Sequence, residues 1–192
     1  MFREATVEHN EKEYERMGIS FDRVTGESVV AEEAQEIIDE GLEKGIFQED
    51  EDGSVFVEFE SESLPSTVVK RDDGSTLYLS RDVANIRKRE REGFDLNLYV
   101  VANEQDLHFQ QLFRLAEKFG IGIDSEHISY GMLHLKEGSI SSSKGNIITF
   151  DEVLDEAVNK AAGIEGRDID NSEQVGLGAL KYANLSVSKS KD

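Results

Sequence analysis

The sequence predicts an α/β chain: a parallel sheet built on a strand–helix–strand unit, with a small α+β appendage before it. Three stretches carry that prediction. LNLYVVA (96–102) is an almost unbroken apolar run of strand length, the pattern of a central parallel strand covered on both faces. EQDLHFQQLFRLAEKFG (104–120) repeats apolar residues at helical spacing, with Leu107, Phe109, Leu112, Phe113, Leu115 and Phe119 as its buried surface. HISYGML (127–133) returns to strand. Such a unit closes right-handed into a parallel sheet, and ligands bind these sheets at the carboxyl ends of the strands. Here those ends are Ala102 to Gln105 and the segment after Leu133.

The other elements follow in order. Residues 1–17 predict a helix stopped at Gly18, and ISFDRVTGES (19–28) reads as extended. VVAEEAQEIIDEGLEKG (29–45) is helical, with Ala34, Ile37, Ile38 and Leu42 on one face and Gly45 after the last turn. VFVEFE (55–60) alternates as a half-buried strand does, and this first part ends near Pro65. TVVKRDDGSTLYLS (67–80) predicts two short strands around the Asp73-Gly74 turn. RDVANIRKREREG (81–93) follows as a helix, with Ser80 placed to cap it and Asp82 in its first turn. ITFDEVLDEAVNKA (148–161) is amphipathic.

Composition narrows the function classes. With 192 residues, 38% of them hydrophobic, the chain can bury a real core. No apolar run approaches the ~20 residues that cross a bilayer, and the charged N-terminal stretch has no signal-peptide core, so a cytoplasmic protein without membrane partners is expected. There is no cysteine, hence no disulfide partner and no thiolate metal site, and four histidines without i, i+4 pairing argue against zinc. The net charge of −20 argues against nucleic acid, whose binders are usually basic. An acidic surface also fits a cytoplasm of molar salt, where the Debye length is ~3 Å and net charge says little about short-range partners.

Between the strand ISYGMLHL (128–135) and the amphipathic run lies SISSSKGNII (139–148). Serine hydroxyls, a glycine that lets backbone approach and one lysine suit a phosphate, in the place the topology assigns to a ligand. A solvated connection has the same composition.

GSTLYLSRDVA (74–84), LYVVANEQDLHFQQLF (98–113), ISYGML (128–133) and SISSSKGNIITFDEVLDEA (139–157) closely resemble, in order and spacing, the second half of the catalytic domain of arginyl-tRNA synthetases, which are class I aminoacyl-tRNA synthetases. The resemblance extends more weakly to residues 2–28 and to VGLGALKYANLS (175–186). It implies a Rossmann-type, HUP-like half-domain over 66–165, an α+β connective region over 1–65 and the start of a following helical region over 166–192. SISSSKGN then corresponds to the mobile signature loop usually written KMSKS. Ser139 to Ser143 take its five places, so both signature lysines are missing, and Ser141, Ser142, Ser143 and Lys144 are the catalytic candidates.

The resemblance further implies an arginine site of Tyr78, Asp82 and Gln105, and an ATP site with Glu104, His108, Met132 and Leu133. Each residue also has a plainer reading. Tyr78 serves as a core aromatic, Asp82 as a carboxylate at a helix start, and Glu104 and Gln105 as helix openers. His108 is then a half-buried helix residue, and Met132 and Leu133 are core. Arg87, Lys88, Arg89 and Arg91 are either an RNA contact or a solvated face, the second being favoured.

The implied activity is arginine–tRNA ligase, with L-arginine, tRNA(Arg) and the Mg2+ complex of ATP as substrates and no tightly bound cofactor or resident metal. The His-x-Gly-His signature is missing from all four histidine contexts, so the isolated chain is expected to be an inactive piece of a longer enzyme. The expected source is a halophilic archaeon. The competing reading is a non-catalytic, synthetase-like module that binds an amino acid or a partner.

Overall fold

The computed structural model describes residues 2–26, 30–60, 64–131, 134–135, 138–139, 149–164 and 171–186. In chain order the elements are helix α1 (Phe2–Arg16), helix α2 (Ala31–Glu43), strands β1 (Phe47–Glu49), β2 (Val55–Val57) and β3 (Thr67–Lys70), and helix α3 (Tyr78–Arg91). Strand β4 (Leu96–Ala102), a 3-10 turn (Asn103–Gln105), helix α4 (Asp106–Lys118) and strand β5 (Asp124–Tyr130) come next. A short hairpin, β6 (His134–Leu135) and β7 (Gly138–Ser139), and helices α5 (Phe150–Ala162) and α6 (Ser172–Ser186) complete the order. The chain divides into two compact units, Thr25–Tyr130 and Met1–Val24 with Gly131–Asp192.

In Thr25–Tyr130, β1, β2 and β3 form an antiparallel sheet in that order, and β4 pairs with β5 in parallel, from Leu96 opposite Asp124 to Ala102 opposite Tyr130. The apolar stripe of α2 (Ala34, Ile37, Ile38) meets Phe47, Val55, Val57 and Val69 of the antiparallel sheet, Val83 and Ile86 of α3, and Leu112 and Leu115 of α4 in one core. Burying each Val, Leu or Ile contributes roughly 1.5–3 kcal/mol. Helices α3 and α4 stop on Gly93 (φ +84) and Gly120 (φ +73), a conformation that costs an L side chain but not glycine. Each stop is sealed by paired bonds: Phe94 N–H to Arg89 O (3.2 Å) with Gly93 N–H to Glu90 O (3.0 Å), and Ile121 N–H to Ala116 O (3.0 Å) with Gly120 N–H to Glu117 O (2.9 Å). The stop after α3 turns the chain into β4, and the stop after α4 turns it toward β5.

In the other unit, Met17, just after α1, forms a small core with Leu154 of α5 and Leu177 of α6. Arg16 ties the same helices at their surface, reaching Glu173 at 2.9 Å and Asp155 at 2.8 Å. Its guanidinium is held above its ordinary value by those bonds, Glu173 first. Gly176 lets α6 close on α5, because a Cβ there would stand 2.7 Å from the carbonyl oxygen of Ala157.

Several expectations are corrected. The second strand expected after Asp73-Gly74 shrinks to a single bridge, Lys70 with Thr76, because the chain enters α3 at Tyr78. Helix α3 therefore begins before Ser80, its N-cap is Leu77, and Asp82 lies beyond the first turn. Strand β4 is not covered on both faces: Leu96, Leu98 and Val100 are exposed, while Asn97 is buried and Tyr99 faces the core. Residues 19–26 form no strand, β1 was not anticipated, and Glu104 and Gln105 lie in a 3-10 turn ahead of α4.

Candidate functional site

The parallel register brings the carboxyl ends of β4 and β5 level at Ala102 and Tyr130. From there the 3-10 turn carries the exposed Glu104 and Gln105 into α4. Asp106 opens that helix, and its carboxylate reaches across to β5. Its Oδ1 accepts from Ser129 Oγ at 2.9 Å and lies 3.3 Å from His127 Nδ1. The other imidazole nitrogen, Nε2, donates to the Val101 carbonyl at 2.9 Å. The Phe109 ring lies over the imidazole, with centroids 4.2 Å apart and planes at 30°. Glu104 and Gln105 thus stand on a crossover held to both strands, the place where an open parallel sheet receives a ligand.

Helix α3 supplies the facing residues. The Val69 carbonyl of β3 accepts from Leu77 N–H at 2.9 Å and lies 3.2 Å from Ser80 Oγ. The same hydroxyl is 2.9 Å from the Leu77 carbonyl, so Ser80, fully buried, locks the first turn of α3 onto β3 rather than capping it. That anchor leaves Tyr78 exposed (65%), which rules out the core-aromatic reading. Asp82 lies one turn on, on the same face. Its Oδ2 is 2.8 Å from Nε2 of His108 on α4, three residues after Gln105, and this contact joins the two helices.

A buried layer backs this arrangement. Tyr99 of β4 packs against Phe109 (centroids 5.0 Å apart), and its hydroxyl accepts from Arg89 at 2.8 Å. Burial pushes the Tyr99 phenol up to about 12; the Arg89 charge opposes this and the Asp82 charge adds to it. Arg87 donates to Glu40 at 2.5 Å and stands over the Phe119 ring. Burial by itself would raise the Glu40 carboxyl, but the hydrogen bonds from Arg87 and Lys44 and their charges outweigh it and hold the group below its ordinary value. Arg87 and Arg89 therefore serve the packing of this unit.

Of the residues expected from the sequence, Asp82 on α3 and His108 on α4 are in contact, Tyr78 stands one turn before Asp82, and Glu104 and Gln105 lie in the 3-10 turn that leads into α4. Met132, Leu133, Ser141, Ser142, Ser143 and Lys144 lie outside the described residues. No group of three or more His, Cys, Asp or Glu side chains suited to a metal ion occurs among the described residues. Sequence reasoning missed the Asp106–His127–Ser129 clamp, since an acid at a helix start reads as a dipole effect and its partners are set only by strand register. It also missed the capping box of α5, in which Thr149 N–H donates to Glu152 at 2.8 Å, although the Thr-x-x-Glu signal was present.

A family model described as tRNA synthetases class I (R), catalytic domain, matches residues 2–192. The chain belongs to that family. Among curated relatives of this synthetase chain, an arginine–tRNA ligase of Halothermothrix orenii is 34% identical over 99% of the chain and 35% of the relative's length. One of Bacteroides thetaiotaomicron is 37% identical over 93% of the chain and 32% of the relative. The chain thus spans about a third of the length of the curated relatives it matches. A crystal structure of arginyl-tRNA synthetase from Plasmodium falciparum superposes with a TM-score of 0.79 at 22% identity, covering 98% of this chain and 34% of that one. A putative arginyl-tRNA synthetase from Campylobacter jejuni gives 0.68 at 20% identity, covering 92% and 36%. The fold is that of the class I synthetase catalytic domain. No helix among the described residues is long and apolar enough to cross a membrane.

Proposed function

We propose that this chain supplies the arginine-recognising part of an arginine–tRNA ligase. The observation that carries the reading is the exposed Tyr78 one turn from the Asp82 carboxylate, which contacts His108 three residues after Gln105, in a chain whose family match runs from residue 2 to residue 192. A guanidinium is planar, permanently charged and a five-donor fork, so it calls for a carboxylate and an aromatic neighbour. Gln105 adds a neutral acceptor. Glu104, near the same strand end, takes the ATP ribose, Met132 and Leu133 the adenine, and Ser141 to Lys144 steady the phosphates.

In the enzyme the arginine carboxylate attacks the α-phosphate of Mg-ATP, giving arginyl-adenylate and pyrophosphate. The 3′-terminal ribose of tRNA(Arg) then takes the arginyl group and AMP leaves. No protein nucleophile is required. Positioning and stabilisation of phosphate charge do the catalysis, which suits a site of loops and hydrogen-bond donors. On the same footing we place the enzyme in the cytoplasm of a salt-adapted organism, and divide the chain at about residues 65 and 165.

Calorimetric titration of the chain in molar KCl with L-arginine, and with citrulline as neutral isostere, tests the arginine site. A charge-assisted hydrogen bond of ~1.5–3 kcal/mol predicts that citrulline binds at least tenfold more weakly. Equal binding of the two, or no binding of arginine, overturns the reading.

A further inference from the structure

We infer that His108 is a positioning residue for arginine: it fixes the Asp82 carboxylate in place for a guanidinium. The inference rests on the arginine-site reading above and goes beyond it, because it moves His108 from the nucleotide to the amino acid. A carboxylate that receives a planar fork must present its oxygens in one orientation, and an aspartate that rotates freely loses entropy on binding. Asp82, with a side chain 34% exposed, is steadied by the 2.8 Å contact of Oδ2 with His108 Nε2. The imidazole is itself held. Phe109 meets its ring edge-on at 5.4 Å, and that phenyl packs on Tyr99, Phe113 and His127.

The kind of donor matters as much as its place. Glu40, in the same unit, is met by two cations, Arg87 and Lys44, and its charge is consumed in holding α2 to α3. Asp82 is met by an imidazole, which donates from Nε2 with no net charge when Nδ1 carries no proton. In that form the imidazole adds no positive charge beside the carboxylate, whose other oxygen is left for an incoming guanidinium; the Asp82 charge is also felt at Tyr99. A lysine or arginine at position 108 would hold Asp82 as firmly and cancel the charge that selects the substrate.

Nitrogen NMR of the imidazole and arginine and ATP titrations of the wild-type chain, His108→Gln and His108→Leu test this, with thermal unfolding to confirm that each variant folds. Glutamine keeps an uncharged N–H near the position of Nε2, and leucine keeps only bulk. Expected are an Nε2-protonated His108, arginine affinity within about threefold of wild type in His108→Gln, and a loss of about tenfold or more in His108→Leu with ATP binding unchanged. Arginine binding unchanged in His108→Leu, equal losses in both variants, or a loss confined to ATP overturns the inference while leaving the arginine site standing. A wild-type chain that binds no arginine overturns the site reading, and the inference with it.

Discussion

Replacing Gly41 by alanine should destabilise the Thr25–Tyr130 unit, although Gly→Ala inside a helix normally gains up to about 1 kcal/mol. Gly41 lies in α2, and a Cβ built there stands 2.2 Å from Cδ2 and 2.5 Å from Cε2 of Phe47. Ordinary contact needs about 3.5 Å, so the ring must retreat by roughly 1.3 Å. It has little room: Phe47 is 2% exposed and packs edge-on against Phe119, over whose ring Arg87 stands. Overpacking of this kind costs about 1–3 kcal/mol; a 2.2 Å approach to a buried ring belongs at the upper end, and less about 1 kcal/mol of helix gain the net loss is about 2 kcal/mol. Urea unfolding reads this as a lower midpoint at unchanged slope. Phe47→Leu removes the clashing ring atoms, so Gly41→Ala with Phe47→Leu should lose about 1 kcal/mol less than the two single changes summed. A Gly41→Ala chain as stable as wild type, or additive behaviour in the double variant, would refute the close-packing argument.

Two predictions concern pH. The folded Glu40 carboxyl titrates below its ordinary value near 4.5, so its contribution to stability is fully present above that value and is lost as pH falls through the lower folded one. The stability gap between wild type and Glu40→Gln should therefore be constant from neutral pH to about 5 and shrink below 4.5; a gap independent of pH would contradict the Arg87–Lys44 assignment. At the alkaline end, the Tyr99 phenol titrates near 12 rather than 10, so its contribution is present below 10 and lost as pH rises through 12. Absorbance titration of the five tyrosines should show one late phenolate, missing in Tyr99→Phe and shifted downward in Asp82→Asn; a single step for all five would sink the claim that burial and Asp82 raise it.

The α/β class was legible because LNLYVVA, the helical spacing of 104–120 and HISYGML are long, periodic signals, and the structure keeps all three as elements. The proposal of an arginine site at Tyr78, Asp82 and Gln105 came only through resemblance, since each residue by itself has an ordinary role. What the sequence concealed depends on partners distant along the chain. Whether Tyr78 is core or surface turns on Ser80 binding the carbonyl of Val69, which draws the helix start back past Tyr78. Whether Asp82 supports a helix end or a ligand turns on His108, twenty-six residues away. The two-faced burial read from LNLYVVA failed because hydrophobicity records what a strand could bury, and β4 carries a covering layer on one face here.

The Asp106 carboxylate binds the start of a helix to the tip of the next strand, so these two stretches open and close as one piece. Amides at the beginning of α4 and at the end of β5 then share one local unfolding event, although they are far apart in sequence. Glu104 and Gln105, immediately before that carboxylate, are tethered at one end by it. They can await a ligand without paying the ordering entropy that a free loop of the same composition would lose on binding.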